Sequence, residues 1–187
     1  MTSRHASRRR FIRTAAGAAG LGVIARETQA RLLAEAAAWR PEPVTKAPAS
    51  LNILILGGTG FTGPEQVDYA LARGHRVTLF NHNKTRPGLF KGKVHEELVG
   101  DLNGDTSALA GRSFDVVLDN PTTFPAWVRN AGKHLAGHVK HYVFISTTST
   151  YADQSIIGLN EESPVLSMPA DLDPYTINPQ HASQYYG

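Results

Sequence analysis

The sequence contains no cysteine, which excludes disulfides, thiolate-bound metal and a cysteine nucleophile together. It also lacks an apolar run of bilayer length: Ala15 to Ile24 spans about ten residues, where a membrane-spanning helix needs roughly 20. A transmembrane anchor is therefore not expected. Acidic residues are nearly missing from one end, since residues 1–30 hold six Arg and a single Glu, leaving 13 basic and 15 acidic residues in 31–187. The net charge of +3 thus belongs to the leading segment. The body is mildly acidic and has no excess of basic residues for holding nucleic acid.

What is present is globular: 187 residues, 41% hydrophobic and 19% charged, enough for one ordinary domain with a core. Eight histidines are scattered along the chain. The grouping at ligand-like spacing, His134, His138 and His141, has no carboxylate among it and straddles a helix-to-strand turn, so these read as surface or loop histidines and no metal is expected.

Ser7-Arg8-Arg9-Arg10-Phe11-Ile12-Arg13 precedes the apolar run, and Thr28-Gln29-Ala30 follows it as a small-x-small cleavage pattern. Charge, apolar core and cleavage site come in the order of an export signal, and the paired Arg8 and Arg9 with their neighbours resemble a twin-arginine signal. The resemblance implies the twin-arginine export machinery as a partner and a periplasmic or extracytoplasmic destination. A basic arm that touches nucleic acid or membrane, or an ordinary disordered N-terminus, on a cytoplasmic protein is the alternative. Residues 31–50, Ala-rich and then marked by Pro41, Pro43 and Pro48, read as a linker.

From residue 51 the pattern is strand, glycine loop, helix, strand. Leu51 to Leu56 is a nearly continuous apolar run of strand length, as expected for a parallel strand covered on both faces. Gly57-Gly58-Thr59-Gly60-Phe61-Thr62-Gly63-Pro64 follows at once. Pro64 suits a first helical turn, Val67, Ala70 and Leu71 form one apolar face, and Gly74 can end the helix. Arg76 to Phe80 reads as the second strand. A pyrophosphate needs bare backbone N–H groups and the positive end of a helix dipole. Gly57, Gly58, Thr59, Gly60, Phe61, Thr62 and Gly63 are therefore candidate cofactor-binding residues. Gly58 and Gly60 are expected to make the tight turn and close approach, with Gly63 letting the helix pack on the strand.

An NAD site usually carries Asp or Glu at the end of the second strand, to hold the ribose hydroxyls. Here that place is taken by Asn81, His82, Asn83 and Lys84, with Arg86 close behind. With no carboxylate to repel a 2′-phosphate and two cations nearby, NADP is the expected cofactor and NAD the alternative. Asn81, His82, Lys84 and Arg86 are the residues involved. Val94 to Val99 gives a third strand ending at Gly100-Asp101-Leu102, and Phe114 to Leu118 a fourth ending at Asp119-Asn120-Pro121. Ala126 to Leu135 reads as a helix with Trp127, Val128, Ala131 and Leu135 on one face, Trp127 being assigned to the core. The fifth strand runs into the hydroxyl-rich segment His141-Tyr142-Val143-Phe144-Ile145-Ser146-Thr147-Thr148-Ser149-Thr150-Tyr151.

The glycine spacing G-x-x-G-x-x-G and the strand that ends in hydroxyls resemble the extended short-chain dehydrogenase/reductase family, the NAD-dependent epimerase/dehydratase group. The resemblance runs from about Leu51 to Gly187. It implies a doubly wound, mostly parallel Rossmann-type sheet of five strands in the order 3-2-1-4-5, with helices on both faces. It further implies Asp101 and Leu102 beside the adenine, and the fourth strand's end beside the nicotinamide ribose. The catalytic hydroxyl falls on Thr147, with Thr148 and Ser149 as fallbacks. Tyr186-Gly187 resembles the start of the family's Y-x-x-x-K pair, in which lysine lowers the phenol's pKa so that it can move a proton near neutral pH. That lysine would fall three positions past Gly187, so the chain is expected to be a front half, inactive by itself. The substrate implied is a small molecule, a sugar or nucleotide sugar. A non-catalytic dinucleotide- or RNA-binding protein on the same fold is the alternative.

Overall fold

The computed structural model describes residues 43–121 and 123–180. Within them, a parallel sheet is built from β1 (Asn52–Leu56), β2 (Arg76–Asn81), β3 (Glu96–Val99), β4 (Phe114–Asp119) and β5 (Val139–Phe144). The strand order is β3-β2-β1-β4-β5, as the family resemblance implies. Helix α1 (Gly63–Ala72) joins β1 to β2, and α2 (Pro125–Leu135) joins β4 to β5. No helix among the described residues is long and apolar enough to cross a membrane.

The central strand shows why its apolar run is continuous. Ile53 and Ile55 enter one core with Val67 and Ala70 of α1, Val77 and Leu79 of β2, and Phe90. Leu54 and Leu56 enter the opposite core with Phe80, Leu98, Leu109, Val117 and, from α2, Ala131 and Leu135. Side chains alternate across a strand, so a strand covered on both faces has no position left for a polar residue. Phe90, fully buried, sits in a loop that carries no periodic signal. Its burial comes from the loop folding back under the sheet.

Pro64 lies in the first turn of α1. Past the last turn, Gly74 takes φ +88°, its N–H donating to the Leu71 carbonyl at 2.9 Å while His75 N–H reaches Ala70 at 3.0 Å. These bonds satisfy carbonyls at the helix end that have no partner within it. β3 begins at Glu96, later than the predicted Val94, because the Lys93 and Val94 N–H groups both turn back to Phe90 O. β5 stops at Phe144, and the hydroxyl-rich residues that follow leave the sheet and form a short 3-10 turn, Thr148–Thr150. β5 is also the sheet's edge, with Tyr142 and Phe144 exposed.

Candidate functional site

A cavity of about 800 Å³ opens at the carboxyl ends of the strands. The first chain crossover goes from β1 to β2 on one side and the return goes to β4 on the other, so the crevice beside β1 is the topological switch point where open α/β sheets bind ligands. One wall is the glycine turn. Gly60 N–H donates to Gly57 O at 2.9 Å, and Gly57 N–H to Phe80 O at 3.0 Å, which ties the turn to β2.

The glycines divide their work differently from the expectation. The tight turn is made by Gly57, at φ +73°, where a side chain would be strained. Gly58 instead makes the close approach to β2: a Cβ there would lie 2.7 Å from Leu79 Cδ2. Gly63 lets α1 start directly over the turn, for a Cβ would stand 2.5 Å from both the Gly57 and Gly58 carbonyl oxygens. Neither Gly58 nor Gly63 lines the cavity; Gly57, Thr59, Gly60, Phe61 and Thr62 do.

The next wall is the end of β2. Asn81, His82 and Lys84 line the cavity, and Asn81 Oδ1 is buried without a hydrogen-bond partner among the described residues. A buried unpaired acceptor costs on the order of 1–3 kcal/mol, so the position favours a ligand that brings a donor, such as a ribose hydroxyl. Lys84 faces Asp101 across 3.9 Å, a long, exposed pair that a bound phosphate could outcompete. Arg86, at φ 47°, is not on the cavity wall; its guanidinium donates to the Gly60 carbonyl and braces the glycine turn from outside. Asp101 and Leu102 both line the cavity. Asp101 also holds its own turn, with Oδ1 accepting from Asn103 N–H at 2.9 Å.

The third wall follows β4 and β5. Thr147 lines the cavity together with Ser146, whereas the fallback residues Thr148 and Ser149 do not. Thr147 Oγ1 accepts from Ser149 N–H at 3.2 Å, and its carbonyl accepts from Thr150 Oγ1 at 3.0 Å. No hydrogen bond donated by the Thr147 hydroxyl is seen among the described residues. Tyr186 lies outside the described residues, as do Arg8 and Arg9.

Sequence reasoning placed Asn120 only as part of the fourth strand's end, which lines the cavity, and missed its hydrogen bonds. Its Nδ2 donates to Leu56 O at 3.1 Å and to Gln66 Oε1 at 2.8 Å, and its Oδ1 accepts from Gln66 Nε2 at 2.9 Å and from Thr62 Oγ1 at 3.2 Å. One side chain thus ties the ends of β1 and β4 to the first turn of α1. The signal for it is only a polar residue after a strand, which is common. Trp127 also departs from expectation, because it packs on the core and lines the cavity as well.

These features fit a dinucleotide. The glycine turn borders the cavity at the start of α1, and the end of β2 holds Asn81 with its orphaned acceptor.

No family model matches the sequence, and no curated protein does. Solved structures do. The chain is similar to a UDP-galactose 4-epimerase (TM-score 0.55, 24% identity, covering 72% of this chain and 48% of that one). It is similar to the epimerase Mth375 from Methanothermobacter thermautotrophicus (0.56, 14%, covering 73% and 45%). It is also similar to the Bordetella bronchiseptica enzyme WbmG, solved with NAD and UDP (0.53, 18%, covering 64% and 45%). The chain therefore spans about half the length of these structures, and what it shares with them is the doubly wound parallel α/β fold of the epimerases.

Proposed function

We propose that the chain is the dinucleotide-binding portion of a nicotinamide-dependent epimerase or dehydratase acting on a sugar or nucleotide sugar. The observation that carries this is the cavity itself: a glycine turn at the start of a helix, an unpaired acceptor at the end of β2 and paired hydroxyls after β5 converge on one space at the switch point. Similarity to an epimerase of a nucleotide sugar, and to an enzyme solved with NAD and UDP, supports the reading.

When bound, the nicotinamide supplies a carbon that takes and returns a hydride. The chain's own residues would hold that group and face the substrate oxygen. The Gly57–Thr62 turn and the α1 N-terminus receive the pyrophosphate through backbone N–H groups. Asn81, His82 and Lys84 face the adenosine ribose, and with no carboxylate in that place NADP is the favoured form. Asp101 and Leu102 border the base. Thr147, with Ser146 beside it, donates a hydrogen bond to the substrate oxygen, and Tyr186 moves the proton.

The leading segment adds a location. Arg8 and Arg9 are proposed to send the folded protein out of the cytoplasm through the twin-arginine machinery. A dinucleotide loaded before export has no external pool to exchange with, so a redox-neutral cycle suits such a protein.

Calorimetric titration of the chain with NADP and with NAD tests the reading. Saturable binding, tighter for NADP and lost in Gly60→Val, is expected. Absence of binding to either dinucleotide would overturn it.

A further inference from the structure

The loop after β2 carries two left-handed residues that are not glycine, Asn83 at φ 57° and Arg86 at φ 47°. Asparagine accepts that region readily, because its short side chain bonds locally. Arginine does not, so Arg86 is held there by what surrounds it. Four residues on, Phe90 is fully buried with Ile53, Ile55 and Leu79, and Leu89 N–H donates to Arg86 O at 3.3 Å. At its other end the exposed Arg86 donates from its guanidinium to the carbonyl of Gly60, 26 residues back. The loop is thus fastened both in the core and on the glycine turn.

The Gly60 carbonyl shares one peptide unit with the N–H of Phe61, and both residues line the cavity. Gly60 N–H is already given to Gly57 O at 2.9 Å, whereas Phe61 N–H has no acceptor among the described residues. In a trans peptide the N–H and C=O point in opposite directions. A carbonyl turned to Arg86, which is off the cavity wall, therefore sets the Phe61 N–H facing away from Arg86. A cation on the carbonyl also polarises the peptide and strengthens its N–H as a donor. Such a donor suits an anion, here the pyrophosphate.

Resting on the dinucleotide reading, we propose that Arg86 is a positioning residue for the pyrophosphate turn and not a contact to a 2′-phosphate. Lys84, which does line the cavity, is the cation left for that phosphate. Affinity for NAD and for NADP then depends on Arg86 to the same degree, while the choice between them rests with residues at the end of β2.

Arg86→Gly removes the guanidinium at a backbone conformation that glycine adopts freely, so it tests binding without adding strain. Calorimetric titration should show NADP and NAD both weakened by about tenfold, the scale of one charge-assisted hydrogen bond, at a melting temperature close to the parent's. Arg86→Lys, which keeps a cationic donor, should recover most of the affinity for both. Lys84→Ala is the contrast and should weaken NADP alone. A loss in Arg86→Gly confined to NADP, undiminished affinity for both, or a loss that follows a fall in melting temperature overturns the positioning role and leaves the dinucleotide reading standing. A parent chain that binds neither dinucleotide overturns both.

Discussion

The Tyr142 hydroxyl, on the edge strand β5, donates to Oδ2 of Asp119, a carboxylate with no exposed surface at the end of β4. Asp119 is in register with Leu56 and shares its apolar surroundings, and its Oδ1 has no partner among the described residues. Burial pushes the Asp119 carboxyl up to about 6, against the opposing effect of the Tyr142 hydrogen bond. Burial, then the neighbouring carboxylate, pushes the Tyr142 phenol above its ordinary range.

A raised folded-state pKa means that the neutral form of Asp119 is the one the fold prefers. Its contribution is fully present below about pH 4 and is lost as the pH rises through about 6. With roughly 1.4 kcal/mol per pKa unit, that loss is about 3 kcal/mol. Asp119→Asn keeps an acceptor for Tyr142 and removes the charge. Its melting temperature should exceed that of the parent at pH 7.5 and match it near pH 4. Identical pH profiles for the two proteins would show that Asp119 does not titrate in this range.

Gly63→Ala should destabilise the chain by about 2 kcal/mol or more, because the added carbon lies 2.5 Å from two carbonyl oxygens of the glycine turn and neither backbone can yield without moving β1. Gly104→Ala, in open space after β3, is the control and should have little effect. Chemical denaturation measures both. Equal stability of the two variants would refute the close approach of α1 to the turn.

Asn81→Asp should reverse the choice of dinucleotide. The new carboxylate would accept from ribose hydroxyls and repel a 2′-phosphate, and one added charge at about 4 Å is worth roughly 1 kcal/mol or more near a surface. The affinity ratio of NADP to NAD should fall by about tenfold, read by calorimetry. An unchanged ratio would move the ribose away from the end of β2.

Replacing Arg8 and Arg9 together by Lys should hold the protein in the cytoplasm, since the pair is recognised as a motif and the charge is preserved. Cell fractionation of the two forms decides it. Export of the double variant, or cytoplasmic retention of the unaltered protein, would remove the signal.

Features legible in the sequence were those whose cause is local. A continuous apolar run marks β1 because both faces of a central parallel strand are covered, and glycines ahead of Pro64 mark a helix start over a turn, so the cavity's glycine wall follows from a short segment, while the strand order came from the family resemblance. Asn81 at the end of β2 was reached by counting along one segment and Thr147 through the family resemblance of the segment that carries it, and both line the cavity. The rest depends on groups distant in the chain. Asn120 meets Thr62 across 58 residues, Trp127 meets Asn103 across 24, and Tyr142 meets Asp119 across 23. No local pattern encodes those meetings. They arise only when the parallel register brings strand ends side by side, and it is there that the fold decided which glycine turns, which amide latches the site and which carboxylate is buried.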